Sequence, residues 1–110
     1  MALECIKGTN VPIVDVVKRA KSVYSFNRFE GHDAPFGMCE GLLRALRNMV
    51  GVVGFVSYHE LSNYIPLFCN PVAKTRFGAD TSKTYWWPRN ASAIRLEYFD
   101  WLIEQYSKEI

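Results

Sequence analysis

Apolar residues recur at helical spacing over much of the chain. In the first such stretch Ile13, Val16, Val17, Ala20 and Tyr24 fall on one face, while Asp15, Lys18, Arg19 and Lys21 take the other. Thr9 and Asn10 ahead of Val11-Pro12 read as its start, with Pro12 in the first turn. Its β-branched residues lower intrinsic propensity, so packing has to hold this helix. It should fade near 26–29, before the turn at Glu30-Gly31-His32-Asp33. The second stretch, from about Phe36 to Val50, aligns Cys39, Leu42, Leu43, Leu46, Met49 and Val50, and turns Arg44 and Arg47 outward. Gly51 supplies a left-handed cap. Gly41, inside the apolar stripe, costs ~1 kcal/mol against Ala and so marks the close approach of another element.

Beyond this point the pattern is less regular. Val52 to Val56 fits either a short buried strand or an apolar connector. Ser57-Tyr58-His59-Glu60 has capping-box spacing, and the helix it opens runs to about Ile65, before Pro66. From Asn70 to Arg89 turn residues at Asn70-Pro71 and Gly78 predict one long loop. Loops beyond ~12–15 residues are commonly functional or mobile. The clearest helix comes last, from about Ala91 to Lys108, with Ile94, Tyr98, Leu102, Ile103 and Tyr106 as its stripe. Glu104 and Lys108 add a favourable i,i+4 pair. The expected fold is mainly α: a compact four-helix domain, becoming α+β with a minor two-stranded element if residues 52–56 and 84–87 pair.

Size and composition narrow the class. A chain of 110 residues, 49% hydrophobic and 22% charged, has material for one core, so residues 1–110 read as a single domain. The aromatic share of 15% is high enough to place some rings on a contact surface. A net charge of +2 argues only weakly for duplex DNA. Cys5, Cys39 and Cys69 are odd in number, lack CxxC spacing and sit in apolar company, which points to reduced, buried thiols. The MALECIKG start carries an acid and no apolar run, unlike a signal peptide. No stretch approaches the ~20 apolar residues that span a bilayer. A cytoplasmic location with no membrane partner follows as the expectation, and Asn90-Ala91-Ser92 is then a chance glycosylation match.

Catalytic constellations are thin. His32-Asp33 has the dipeptide of metal-dependent phosphohydrolases, but His59 is the one other histidine, too few for such a ligand set. His59-Glu60 lacks the second histidine of a zinc helix. Cys39 opens a helix upstream of His59, an order that suits a small cysteine hydrolase. Its place on the apolar stripe favours an idle structural thiol instead. No phosphate-binding glycine loop occurs. The expectation is a non-enzymatic chain without cofactor or metal.

The segment from Lys74 to Arg95 has more content. It sets Lys74, Arg76, Lys83, Arg89 and Arg95 against the single acid Asp80, interleaved with Phe77, Tyr85, Trp86 and Trp87. Arg, Tyr and Trp dominate protein-interface hot spots, so Arg76, Phe77, Lys83, Tyr85, Trp86, Trp87 and Arg89 form the candidate partner-binding set. The same mixture suits a nucleic-acid-binding module, with rings stacking on bases and cations following the backbone. A third reading makes the tryptophans loop anchors. Neighbours in extended chain face opposite ways, so one ring in and one out is geometrically natural.

Gly37-Met38-Cys39 with its following helix, Tyr85-Trp86-Trp87-Pro88, and the run Arg95-Leu96-Glu97-Tyr98-Phe99-Asp100-Trp101-Leu102-Ile103 resemble small accessory proteins encoded by bacteriophages. The resemblance implies stoichiometric binding to a host protein, including components of antiviral defence, as an inhibitor or modulator without catalysis. It carries no assigned site.

Overall fold

The computed structural model describes residues 2–26, 35–51, 60–77 and 91–109, and for 23–26, 35–40 and 91–95 the description is of the backbone. Five helices result: α1 (Ile13–Phe26), α2 (Pro35–Val50), α3 (Leu61–Tyr64), α4 (Pro71–Phe77) and α5 (Ala91–Tyr106). The chain is mainly α, as the periodicity predicts. No strand occurs among the described residues, where isolated antiparallel bridges join Leu3 to Glu109 and Cys5 to Pro12. The possible strands at 52–56 and 84–87 lie outside the described residues.

The N-terminal segment folds back before α1 begins. Thr9 accepts the Val11 amide on Oγ1 at 3.1 Å and donates its hydroxyl to the Ile6 carbonyl at 2.9 Å. Thr9 therefore closes a turn through Gly8, whose φ of +77° suits a residue without Cβ, and α1 begins at Ile13, next to Pro12. The Ile13 amide donates to the Glu4 carbonyl at 2.9 Å. This fold-back delivers Ile6 to the core, 1% exposed.

Helix α1 buries Ile13, Val14, Val16, Val17 and Ala20 and exposes Asp15, Lys18 and Arg19. It packs against α2 and α5. On α2, Leu42, Leu43, Ala45 and Leu46 are buried, and Arg44 and Arg47 face outward. At their crossing, a Cβ on Gly41 would lie 3.2 Å from the Ala20 carbonyl oxygen. That is the close approach the glycine signalled. Gly51 ends α2 at a φ of +69°.

Helix α3 covers Leu61–Tyr64 of the stretch read as running to about Ile65. Glu60 is its N-cap, in helical backbone geometry and without a side-chain cap bond, and Ser57 lies outside the described residues. The next departure is larger. The expected loop from Asn70 contains α4, because Asn70 Oδ1 accepts the Ala73 amide at 2.8 Å and Pro71 supplies the first helical position. Among the described residues there are thus five helices where four were expected for the chain.

Helix α5 closes the core with Tyr98, Phe99, Trp101, Leu102 and Tyr106. At about 100° per residue these five cover an arc far wider than one stripe. The width follows from its position, in contact with both α1 and α4. Lys21 of α1 and Asp100 of α5 form an ion pair at the exposed edge of their contact.

Candidate interaction surface

The surface around α4 starts from an aromatic stack. Tyr98 lies between Phe68, with ring centroids 5.8 Å apart and planes at 2°, and Phe77, at 4.9 Å and 13°. Trp101 closes on Phe77 at 5.7 Å with a tilt of 56°. Such offset and tilted pairs contribute ~0.5–1.5 kcal/mol each beyond area burial. The Tyr98 hydroxyl accepts the Cys69 amide at 2.7 Å, and about two helical turns later the Tyr106 hydroxyl accepts the Leu67 amide at 2.8 Å. Two phenols of α5 thereby hold the turn that leads into α4. Cys69 itself takes a left-handed φ of 59° there.

Ala73 and Phe77 put one side of α4 into the core, and Pro71, Val72, Lys74, Thr75 and Arg76 are exposed. The Arg76 guanidinium carbon lies 5.2 Å from the centroid of the Phe77 ring. That contact is a cation–π interaction with a ring whose other partners are in the core.

The candidate partner-binding residues separate accordingly. Arg76 is exposed on a helix, where the sequence placed it in a loop. Phe77 is only 6% exposed and stacks inside the core, which leaves little of its ring to face a partner. Its burial follows from α4: position 77 is four residues after Ala73, on the same helical face. Lys83, Tyr85, Trp86, Trp87 and Arg89 lie outside the described residues. Val72 was not among the candidates. Reading Asn70-Pro71 as an N-cap and first turn would have exposed it by helical arithmetic.

A cleft of about 170 Å³ lies at the far end of α5, between Glu4, Leu67, Tyr106, Lys108 and Glu109. Burial pushes the Tyr106 phenol up to about 12, the Glu4 charge adds to the rise, and the hydrogen bond from the Leu67 amide opposes it. A phenol held this high stays protonated near neutrality and offers no base. Cys5 and Cys69 are half-buried, less enclosed than their apolar neighbours in sequence suggested. Cys5 donates weakly to the Leu3 carbonyl at 3.5 Å. His32, His59 and the Cys39 side chain lie outside the described residues, so the hydrolase reading has no geometry to meet. Among the described residues no group of three or more His, Cys, Asp or Glu is placed to hold a metal ion.

No family model, curated protein or solved structure matches the chain. The surface of α4 must therefore be read from its own chemistry. No helix among the described residues is long and apolar enough to cross a membrane. The described geometry offers exposed, anchored cations and lacks an assembled nucleophile and base among the described side chains.

Proposed function

We propose that the chain is a small non-enzymatic module that binds another protein, through a surface that begins on α4 and continues into the basic-aromatic residues 78–89. The observation that carries this reading is the placement of Arg76: an exposed cation seated on Phe77, a ring fixed in the core stack. A side chain held in this way has less freedom to lose on binding than a cation on a loop. The sequence that follows supplies Lys83, Tyr85, Trp86, Trp87 and Arg89, residue types enriched at hot spots. The resemblance to bacteriophage accessory proteins directs the first search to a bacterial host cytoplasm, where such a module would inhibit or redirect its partner.

The test is capture of a partner from host lysate on the immobilised chain, then titration with variants. One of Trp86→Ala and Trp87→Ala should unfold or strongly destabilise the chain, by ~3–5 kcal/mol. The other should fold normally and weaken binding by ~2 kcal/mol or more. If both variants melt early while reversal of Arg76 and Arg89 leaves binding intact, the segment is structural and the interface lies elsewhere. A steep fall of affinity with salt and a captured oligonucleotide would give the surface to nucleic acid instead.

A further inference from the structure

We propose that α4 is the docking face for an acidic segment of a partner protein that also presents an aliphatic side chain. The inference rests on the protein-binding reading and names the chemistry of what binds. Successive residues of a helix are rotated by about 100°. Ala73 and Phe77 set the core direction of α4, which turns Pro71, Val72 and Thr75 away from the core. Lys74 and Arg76 then lie on opposite flanks, each about 80° from the core direction. The exposed face sets Pro71, Val72 and Thr75 between two cations.

Val72 is 55% exposed and is the exposed large hydrophobic among the described residues. A lone surface aliphatic is ordinary; its charge setting is not. From Leu61 to Ala79 the chain carries no Asp or Glu. No salt bridge among the described residues uses Lys74 or Arg76. Lys74 and Arg76 thus have no ion-paired acid among the described residues, and a partner carrying carboxylates complements them. Arg76 suits a carboxylate in particular, because its planar fork offers paired donors while Phe77 supports its face.

The same features weigh against nucleic acid as the occupant. Single strands need exposed rings on which bases stack, and the ring of α4 is buried beneath the surface. Exposed Val72 between the cations serves a side chain better than a sugar–phosphate backbone. A helix of this length extends only about 10 Å. It therefore accounts for one patch of an interface and not for the ~800 Å² that a stable complex buries on each partner.

The probe is a short fluorescein-labelled peptide of alternating Glu and Leu, titrated with the full chain by fluorescence anisotropy. A Glu-Ser peptide of equal charge and a single-stranded oligothymidylate run beside it. The Glu-Leu peptide should bind saturably and more tightly than either. Lys74→Glu with Arg76→Glu should weaken it by about tenfold or more, the scale of losing charge-assisted bonds. Val72→Asp should remove its advantage over the Glu-Ser peptide. Lys18→Glu with Arg19→Glu, an equal charge change on the outer face of α1, should leave binding unchanged. Circular dichroism melts identify any variant that fails to fold, and Lys74→Gln with Arg76→Gln then replaces the charge reversal. Three results overturn the proposal: no saturable peptide binding, equal weakening by the α1 control, or tighter binding of the oligonucleotide through Lys74 and Arg76. Titrating the captured partner against the tryptophan variants separates the two readings. If those variants lose the partner and the α4 reversal keeps it, the module reading stands and docking on α4 falls. If the α4 reversal loses both peptide and partner while the tryptophan variants keep them, docking on α4 stands and the contribution of 78–89 falls.

Discussion

Tyr106 couples a buried hydroxyl to the turn before α4, and its titration gives a direct check. Its proton is held up to about 12 against an ordinary value of 10.0, chiefly by burial. A phenol with a raised folded pKa keeps its proton in the native state after the unfolded chain has lost it. The stability it contributes is full below pH 10 and falls as pH rises toward about 12. At ~1.4 kcal/mol per unit the loss across this window is of order 2–3 kcal/mol. Tyr106→Phe removes the acceptor for the Leu67 amide and should cost about 1 kcal/mol at neutral pH. Between pH 10 and 12 the gap between the two proteins should close and then reverse, read by urea denaturation at each pH. A gap that stays constant would place the phenol in contact with water. The sequence put Tyr106 on the apolar stripe but not its hydroxyl on Leu67, since that bond depends on where the 65–69 turn travels. Gly41 was legible as a close approach, because a glycine amid leucines has few other uses.

Helix α4 shows how a whole element escapes a periodicity reading. It has seven residues, of which only Ala73 and Phe77 are buried. Two apolar positions four apart cannot stand out against the turn signals around them, and Asn-Pro is read as a turn as readily as a cap. The structure resolves the ambiguity through Asn70 Oδ1, which satisfies the Ala73 amide, and the Asn70 carbonyl, which accepts the Lys74 amide at 2.9 Å. Asn70→Ala should cost ~0.5–2 kcal/mol and Asn70→Asp very little, both measured by thermal unfolding. Equal melting of all three proteins would mean that core packing alone holds α4. Long helices were legible with close bounds: α2 was expected from about Phe36 and runs Pro35–Val50. On α5 the predicted stripe captured Tyr98, Leu102 and Tyr106 but passed over Phe99 and Trp101. A one-face template misses the flanks of a helix that packs against two neighbours.

At the scale of the molecule, the candidate site was legible in kind and only partly in place. The basic-aromatic composition of 74–89 singles out a region, yet it cannot separate an anchor from a contact. Phe77 is the instructive case. It belongs to a core that also receives Ile6 from the N-terminal fold-back and Tyr98 and Trp101 from α5. Phe77→Ala removes a ring stacked on Tyr98 and tilted on Trp101, and should destabilise the chain by ~3–5 kcal/mol. Phe77→Leu keeps most of the volume and should lose less. Either variant also removes the ring beneath Arg76, so binding to α4 should weaken modestly even where the chain is fully folded. Measuring melting and Glu-Leu peptide binding on the same samples, well below each melting temperature, separates the two effects. For Phe77→Leu the expected result is a clear drop in stability with a small loss of affinity. Arg76→Gln should do the reverse, with parent-like melting and a larger loss of affinity. If Phe77→Leu melted like the parent but lost the peptide as fully as Arg76→Gln, the ring would be a contact after all. The core assignment of α4 would then have to be abandoned.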